Sequence, residues 1–181
     1  MNWHQFVYQG AVYDLSHLHP RSITYTQSAK DGKPERCYNV DVIFSLHCFT
    51  REPGVNEAPA ANLLYSDDRE TRVFDFRRYA LSIRLPEIVA RLMGCKCFHT
   101  GKSNFFTVEI IDDQGQKQNY EMYFTASRSS KKGVINLFIQ SAYIRDPDYR
   151  SNRPKVNHWA KIGFGIILYN TLNNLPIKPP K

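Results

Sequence analysis

The 181-residue chain is poor in cysteine, has no long apolar run and carries none of the common nucleotide-binding or hydrolase motifs. No stretch approaches the roughly 20 apolar residues of a membrane-spanning helix, so no membrane partner is expected. Residues 1–5 lack the charged and apolar regions of a secretory signal, which predicts a cytoplasmic location. The sequence contains none of four common motifs: G-x-x-x-x-G-K-[ST], G-x-G-x-x-G, G-x-S-x-G and H-E-x-x-H. Their absence argues against the best-known nucleotide-binding loops, serine hydrolases and metalloproteases. We therefore expect no cofactor.

The cysteines raise the question of a metal site. Only four are present, at positions 37, 48, 95 and 97, and a reducing compartment would keep them as thiols. In an extended strand the side chains of Cys95, Cys97 and His99 share one face, where two thiolates and an imidazole could bind a metal ion. The spacing differs from the C-x2-C pairs of zinc sites, and a fourth ligand would have to come from Cys48 or His47. Unpaired cysteines are also common in cores. The sequence thus predicts no metal, with this cluster left open.

The composition that remains is that of an ordinary basic domain. Hydrophobic residues make up 42% and charged residues 23%, and 181 residues are enough for one domain with a real core. The net charge of +7 is unevenly distributed. Residues 1–127 carry a net −1 (14 Lys and Arg, 15 Asp and Glu), whereas residues 128–181 carry a net +8 (10 against 2). A basic C-terminal third favours a polyanionic partner, although a solvated basic face that aids solubility explains it equally.

Strand patterns dominate the first part of the chain. Runs rich in apolar, aromatic and β-branched residues predict strands over 6–15, 22–26 and 37–50. In the last of these, alternation places Tyr38, Val40, Val42, Phe44, Leu46 and Cys48 on one face. His47 falls beside Ser45 on the other, polar face. Residues 52–61, with two prolines and a glycine, predict an exposed loop.

The second part of the chain adds helices to the strands. Pro86 in the first turn and Gly94 at the end predict a short helix over 86–94. Strands over 105–111, 119–127 and 134–145, joined by short turns, predict an antiparallel meander in which 134–139 is central. Residues 158–172 are apolar enough for a terminal helix. We therefore predict an α+β fold, mainly antiparallel β-sheet with one short central helix and a C-terminal helix packed on it.

A single domain spanning 1–181 is expected. Its parts are a β-rich stretch (1–51), a loop (52–61), a helix with the meander (62–145) and a basic C-terminal tail with a helix (146–181).

Chemistry without a metal or cofactor is the remaining catalytic option. A metal-independent ribonuclease needs a general base, a general acid and cations that stabilise charge on the reacting phosphate. His47 ends a predicted strand, arginines are dense over 69–78, and Ser141, Tyr143 and Arg145 share one face of a strand. The prediction is His47 as base, Tyr143 as acid or orienting group, and Arg78 and Arg145 as phosphate stabilisers.

Each of these assignments has a structural alternative. A hydrogen bond to a neighbouring group accounts for His47 without catalysis. Tyrosine is a favoured strand residue, so Tyr143 is also explained as ordinary packing. The arginines alternate with acidic residues and are equally explained as a mutually paired surface cluster; the acids are Asp67, Asp68, Glu70 and Asp75.

A second set of cations is a candidate for nucleic-acid binding. Residues 128–132 form a predicted hairpin tip suited to phosphate contact, and residues 146–157 form a basic loop. The predicted nucleic-acid-binding residues are Arg51, Arg128, Lys131, Lys132, Arg150, Arg153 and Lys155.

A helix before an antiparallel meander, with candidate His, Arg and Tyr groups, resembles the barnase, EndoU, colicin and RelE group of small metal-independent endoribonucleases, many of them toxins. The likeness covers residues 77–145, and Ser141-Ala142-Tyr143 is similar to a strand end in several of these enzymes. The resemblance implies RNA cleavage with His47 or His99 as base, and a neutralising antitoxin as protein partner. The expected function is thus a small basic cytosolic protein acting on nucleic acid, a toxin or defence endoribonuclease. The alternative is a non-catalytic module that binds nucleic acid or an acidic protein.

Overall fold

The computed structural model describes residues 2–30, 32, 34–100, 104–113, 116–144 and 160–178. Within them the chain is α+β, as predicted, with a seven-stranded sheet, a three-stranded sheet and a two-stranded hairpin. The strands are β1 (Phe6–Tyr8), β2 (Ala11–Tyr13), β3 (Arg21–Gln27), β4 (Arg36–Phe44), β5 (Thr50–Arg51), β6 (Leu64–Ser66), β7 (Thr71–Phe74), β8 (Lys96–His99), β9 (Phe105–Asp113), β10 (Gln116–Arg128), β11 (Val134–Ile144) and β12 (Ala160–Gly163). The α-helices are α1 (Phe76–Ser82), α2 (Leu85–Ala90) and α3 (Phe164–Leu172).

The large sheet joins the two halves of the chain. Its strand order is β12, β8, β9, β10, β11, β4, β3. β9, β10 and β11 pair antiparallel in sequence order, which confirms the predicted meander. β11 then pairs in parallel with β4, with Ile135 opposite Val40 and Ile139 opposite Phe44. The carboxyl ends of β4 and β11 therefore meet at one edge of the sheet, and this edge carries His47 and Tyr143.

The N-terminal strand prediction is corrected at one turn. Residues 6–15 form the hairpin of β1 and β2 rather than one strand. Gln9 and Gly10 both have positive φ, at 50° and 79°, the backbone of a two-residue hairpin turn. The small sheet, with the order β5, β7, β6, packs its aromatic side chains against this hairpin, and Phe6 and Phe74 are stacked with ring centroids 3.9 Å apart.

The helices differ from prediction at their boundaries. The predicted helix over 86–94 is present as α2 followed by a 3-10 turn over Leu92–Gly94. The sequence does not predict α1, because residues 67–78 are dense in charge and show no apolar periodicity. Asp75 begins this helix: its carboxylate accepts a hydrogen bond from the backbone N–H of Arg78 at 2.9 Å.

The C-terminal helix is anchored in the main core. α3 begins at Phe164 because residues 160–163 continue the sheet as β12. The ring of Phe164 contacts those of Tyr25 and Phe124, at centroid distances of 5.1 and 5.9 Å, and the three side chains are at most 3% exposed. This burial holds α3 on the sheet. Among the described residues no helix is long and apolar enough to cross a membrane.

Candidate functional site

His47 lies just after β4, where the chain leaves the sheet. The prediction of one strand over 37–50 is wrong beyond Phe44, because Ser45 caps a 3-10 turn over Leu46–Cys48. The Ser45 hydroxyl accepts from the His47 backbone N–H at 3.2 Å and donates to the Gln140 carbonyl at 2.5 Å. The turn leaves the His47 side chain 37% exposed.

His47 forms a dyad with Glu70. Its Nε2 lies 2.6 Å from Oε1 of Glu70, and the other carboxylate oxygen lies 3.2 Å from Nη1 of Arg72. These contacts lower the pKa of Glu70, with the His47 hydrogen bond as the largest cause. A neutral His47 that donates from Nε2 to this carboxylate carries its lone pair on Nδ1. In that tautomer the dyad has the arrangement of a general base.

Arg72, a buried arginine, holds the Glu70 carboxylate in position through an ion pair. The Arg72 side chain is 8% exposed, and its Nε donates to the buried hydroxyl of Thr50 at 3.1 Å. Its Nη1 also lies 3.4 Å from Oε1 of Glu52. A guanidinium shared between two carboxylates positions the dyad. Its charge is already matched within the protein.

Arg78 connects His47 with the edge of the sheet. Its Nη1 donates to the carbonyl oxygens of His47 and Thr50 at 3.3 and 2.8 Å. Its guanidinium carbon lies 5.2 Å from the centroid of the Tyr143 ring, within cation–π range. Burial is the largest influence on Arg78 and lowers its pKa, while Asp75 opposes the shift. The structure thus brings His47, Arg78 and Tyr143 together, with Arg78 tying the turn to β11.

The Tyr143 side chain lies at the site and also packs against a neighbouring tyrosine. Its ring stacks on Tyr123 at 5.7 Å, with 13° between the planes. The Tyr123 hydroxyl donates to Oε2 of Glu121 at 2.7 Å, and Glu121 is 5% exposed and pairs with Tyr143 in the sheet. Strand register therefore fixes the position of Tyr143.

Comparison with known proteins decides the family. A sequence model described as the YjaZ family matches residues 5–172. The chain is also 31% identical over 182 aligned positions to Protein YjaZ of Escherichia coli strain K12, covering 98% of this chain and 95% of that protein. The chain belongs to the YjaZ family. No solved structure matches it.

Membership in the YjaZ family overturns the endoribonuclease-toxin resemblance. That likeness used the order of a helix and a meander over residues 77–145 and no shared motif. Helices before antiparallel sheets occur in many unrelated proteins, so element order alone cannot identify a family. The expectation of a neutralising antitoxin loses its basis with the resemblance.

Arg51 of this YjaZ-family chain is already paired. Its Nη1 and Nη2 donate to the two oxygens of Glu57, each at 2.6 Å, and its Nε lies 3.9 Å from Oδ2 of Asp75. The hydrogen bond to Glu57 raises the pKa of Arg51. A phosphate would have to displace a bidentate carboxylate before contacting this side chain.

The hairpin cations lie far from His47. Arg128 is the last residue of β10, Lys131 and Lys132 lie in the turn between β10 and β11, and all three are exposed. At about 3.3 Å per residue, the two ends of β11 lie roughly 30 Å apart, with the turn at one end and Tyr143 at the other. Nζ of Lys131 is 3.0 Å from Oδ2 of Asp41, an exposed pair open to exchange with other anions. His47, Arg78 and Tyr143 therefore lie at the opposite end of the sheet from the hairpin cations, whereas Arg51 lies on the His47 side.

Four predicted site residues lie outside the described residues: Arg145, Arg150, Arg153 and Lys155. Three members of the site are not among the predicted site residues: Glu70, Arg72 and Thr50. Glu70 had a signal in the sequence, since it belongs to the acidic residues interleaved with the arginines. Glu70 and Arg72 form an ion pair. For these two residues, the alternative interpretation of the segment as a mutually paired cluster is therefore correct.

The cysteine and histidine cluster does not converge on a common point. The Cys95 sulfur lies 3.4 Å from the Arg91 carbonyl oxygen and 3.6 Å from Oε1 of Glu109. Cys97 is fully buried, and burial raises its pKa to about 12. Within the described ranges, no group of three or more His, Cys, Asp or Glu side chains is arranged to hold a metal ion.

Proposed function

We propose that the chain is a cytoplasmic protein that binds single-stranded nucleic acid, RNA in the first place, through the end of the sheet that carries the hairpin turn. We call this surface the basic end and define it by the described residues within 27–41, 126–136 and 169–178. Its described cations are Lys30, Arg36, Arg128, Lys131, Lys132 and Lys178, and its described acids are Glu35 and Asp41. Such a surface gains binding free energy by releasing counterions from phosphates.

The observation that carries this proposal is the difference between the two ends of the sheet. Near His47, the arginines at 51, 72 and 78 are held by carboxylates or carbonyl oxygens. At the basic end, Arg128 and Lys132 are exposed. The guanidinium of Arg36 lies 4.4 Å from the centroid of the half-buried Tyr169 ring. An aromatic ring among exposed cations suits single-stranded nucleic acid, whose bases stack on such rings.

Fluorescence anisotropy with a labelled 20-nucleotide RNA tests the proposal. The logarithm of the binding constant should fall linearly with the logarithm of the salt concentration. The variant R128Q/K131Q/K132Q should reduce the magnitude of that slope by about 2, since each lost single-strand phosphate contact is worth about 0.7. The matched variant R69Q/R84Q/R91Q removes the same charge from exposed sites elsewhere and should behave as wild type. Salt-independent binding, no binding, or equal effects of the two triple variants would overturn it.

A second candidate is metal-independent RNA cleavage at His47, favoured by the 2.6 Å contact between Nε2 of His47 and Oε1 of Glu70. In this proposal Nδ1 of His47 takes the proton of the attacking hydroxyl. Tyr143 and Arg78 adjoin the same turn, as the acid and the stabilising cation would have to.

Incubation with RNA in EDTA tests cleavage separately from binding. Wild type should cut, His47→Ala should not, and Glu70→Gln should cut slowly because the ring loses its orienting acceptor. Uncut RNA with wild type, or full cleavage by His47→Ala, rejects this candidate. Salt-dependent binding without cleavage supports the binding function alone.

A further inference from the structure

A cavity of about 390 Å³ lies between β10 and the carboxyl end of α3. Its size falls within the range of small-molecule pockets, about 300–1,000 Å³. Among its described lining residues, Phe105, Leu175 and Ile177 are apolar, whereas Arg128, Asn170 and Thr171 are polar. Ligand pockets typically combine an apolar wall with a few polar groups that fix orientation.

The wall formed after α3 is held in place by local hydrogen bonds. The Leu175 backbone N–H donates to the Asn170 carbonyl at 2.8 Å, and Nδ2 of Asn170 donates to the Pro176 carbonyl at 3.3 Å. Asn174 adopts a positive φ of 56°, which turns the chain back toward the helix. Residues 173–177 therefore form one wall of the cavity, and these hydrogen bonds hold that wall in place.

Thr171 points to an occupant of this cavity. The residue is 9% exposed, and its Oγ1 has no hydrogen-bond partner among the described residues. An unsatisfied buried hydroxyl is unfavourable, so its presence needs an explanation. Thr171 is one of the residues that line the cavity, and a helical threonine has two accessible χ1 rotamers. A ligand with an acceptor atom there would satisfy it.

The charge at the cavity selects the type of ligand. Arg128, the last residue of β10, lines the cavity with a guanidinium, which pairs with carboxylate and phosphate groups in bidentate geometry. The ring of His99 lies edge-on to Phe105, at a centroid distance of 5.1 Å, on the apolar side. A ligand with a carboxylate and an apolar body would match both the Arg128 guanidinium and the apolar wall of the cavity.

We propose that this cavity binds a small organic carboxylate. Arg128 pairs with the carboxylate, Thr171 donates a hydrogen bond to it, and the apolar body packs toward Phe105, Leu175 and Ile177. The proposal does not depend on nucleic-acid binding, although most of the residues that line the cavity, Arg128 and Thr171 among them, also belong to the basic end.

Ligand-observed NMR titration with benzoate, hexanoate and indole-3-acetate tests this site. At least one should bind, and the corresponding neutral amide should bind ~10-fold more weakly, since charge-assisted hydrogen bonds are about twice as strong as neutral ones. Arg128→Gln should weaken binding ~10-fold by the same reasoning, whereas Arg69→Gln, which removes an exposed cation elsewhere, should leave it unchanged. Phenyl phosphate provides the comparison: tighter binding of the phosphate than of every carboxylate would overturn the assignment, as would no carboxylate binding.

Thr171→Val separates this site from the basic end and from folding. Valine keeps the shape and removes an unpartnered hydroxyl, so the melting temperature should not fall, while carboxylate affinity should fall several-fold. RNA affinity should be unchanged, because Thr171 is buried within the basic end and the variant removes no charge from that surface. A melting temperature clearly below that of wild type, or unchanged carboxylate affinity, would show that the hydroxyl has a structural role and would overturn the proposal.

Discussion

Nε2 of His47 lies 2.6 Å from Oε1 of Glu70, although 23 positions separate the two residues in the chain. The contact exists because β7 and the preceding turn fold back beside the turn that follows β4. Glu70 accepts from two sides, since Arg72 holds its second oxygen. This carboxylate therefore organises the site while its side chain remains 39% exposed.

Glu70→Gln is expected to change how stability depends on pH. The pKa of Glu70 is below its ordinary value of 4.5, so folding favours the ionised form. This contribution is present above the unfolded pKa and is lost as the pH falls through the folded one. The difference in the free energy of unfolding between wild type and Glu70→Gln should shrink as the pH falls below 4.5. Urea denaturation between pH 7 and pH 3 measures this.

Glu87→Gln provides the matched control for that experiment. Glu87 has a 74% exposed side chain, and its nearest ion-pair contact is a 3.8 Å approach to Arg91. Exposed pairs of this kind contribute little to stability. Its difference from wild type should vary less with pH, and equal curves for the two variants would contradict the role of Glu70.

Arg78→Met is expected to destabilise the fold by about 1–3 kcal/mol, because the carbonyl oxygens of His47 and Thr50 lose their shared donor. Arg78→Lys should cost less, since one ammonium can still reach one carbonyl. Tyr143→Phe keeps the ring on which Arg78 packs and should be close to neutral. Urea denaturation at neutral pH measures the relative stability of the three variants. If Arg78→Met is as stable as wild type, the hydrogen bonds from Arg78 to the two carbonyl oxygens contribute little to stability.

The alternation of apolar and polar residues was sufficient to predict the meander, but it did not predict that β4 pairs with the meander strand β11. β9, β10 and β11 follow each other through short turns, so pattern and connectivity predict the same pairing. The parallel pairing of β11 with β4 joins segments nearly a hundred residues apart. Periodicity reports which face of a strand is buried and carries no information on its neighbour.

The candidate site was predictable in residue type and less so in contacts. The chemistry of His47, Arg78 and Tyr143 makes each of them a candidate in the sequence, and chain topology brings them together at one edge. The sequence does not identify the carboxylate partner, because residues 67–78 show only dense mixed charge. Which arginine a carboxylate meets depends on the turn at Asp67, whose side chain accepts from the backbone N–H groups of Arg69 and Glu70. Local geometry of this kind is not visible in a charge pattern.

Arg51→Gln is expected to raise the pKa of Glu57 toward its ordinary value of 4.5. In the folded protein that pKa is lowered to about 2, chiefly by the hydrogen bonds from Arg51 and then by the backbone N–H of Gly54 at 2.6 Å. A ¹³C NMR titration of the side-chain carboxyl measures the midpoint directly. The remaining bond to Gly54 should keep the midpoint slightly below 4.5, and a midpoint unchanged from wild type would contradict the pairing.

Tyr25→Phe is expected to cost about 1–2 kcal/mol in the free energy of unfolding, because it leaves a buried carbonyl without its donor. The Tyr25 hydroxyl donates to the Val89 carbonyl at 2.6 Å, and burial raises its pKa. Tyr38→Phe is the matched control on the neighbouring strand: its hydroxyl donates at 3.2 Å to the side-chain amide of Gln27, which can turn to water instead. Urea denaturation of both variants should therefore rank Tyr25→Phe as the less stable. The reverse order would mean that α2 is held to the sheet by apolar packing alone.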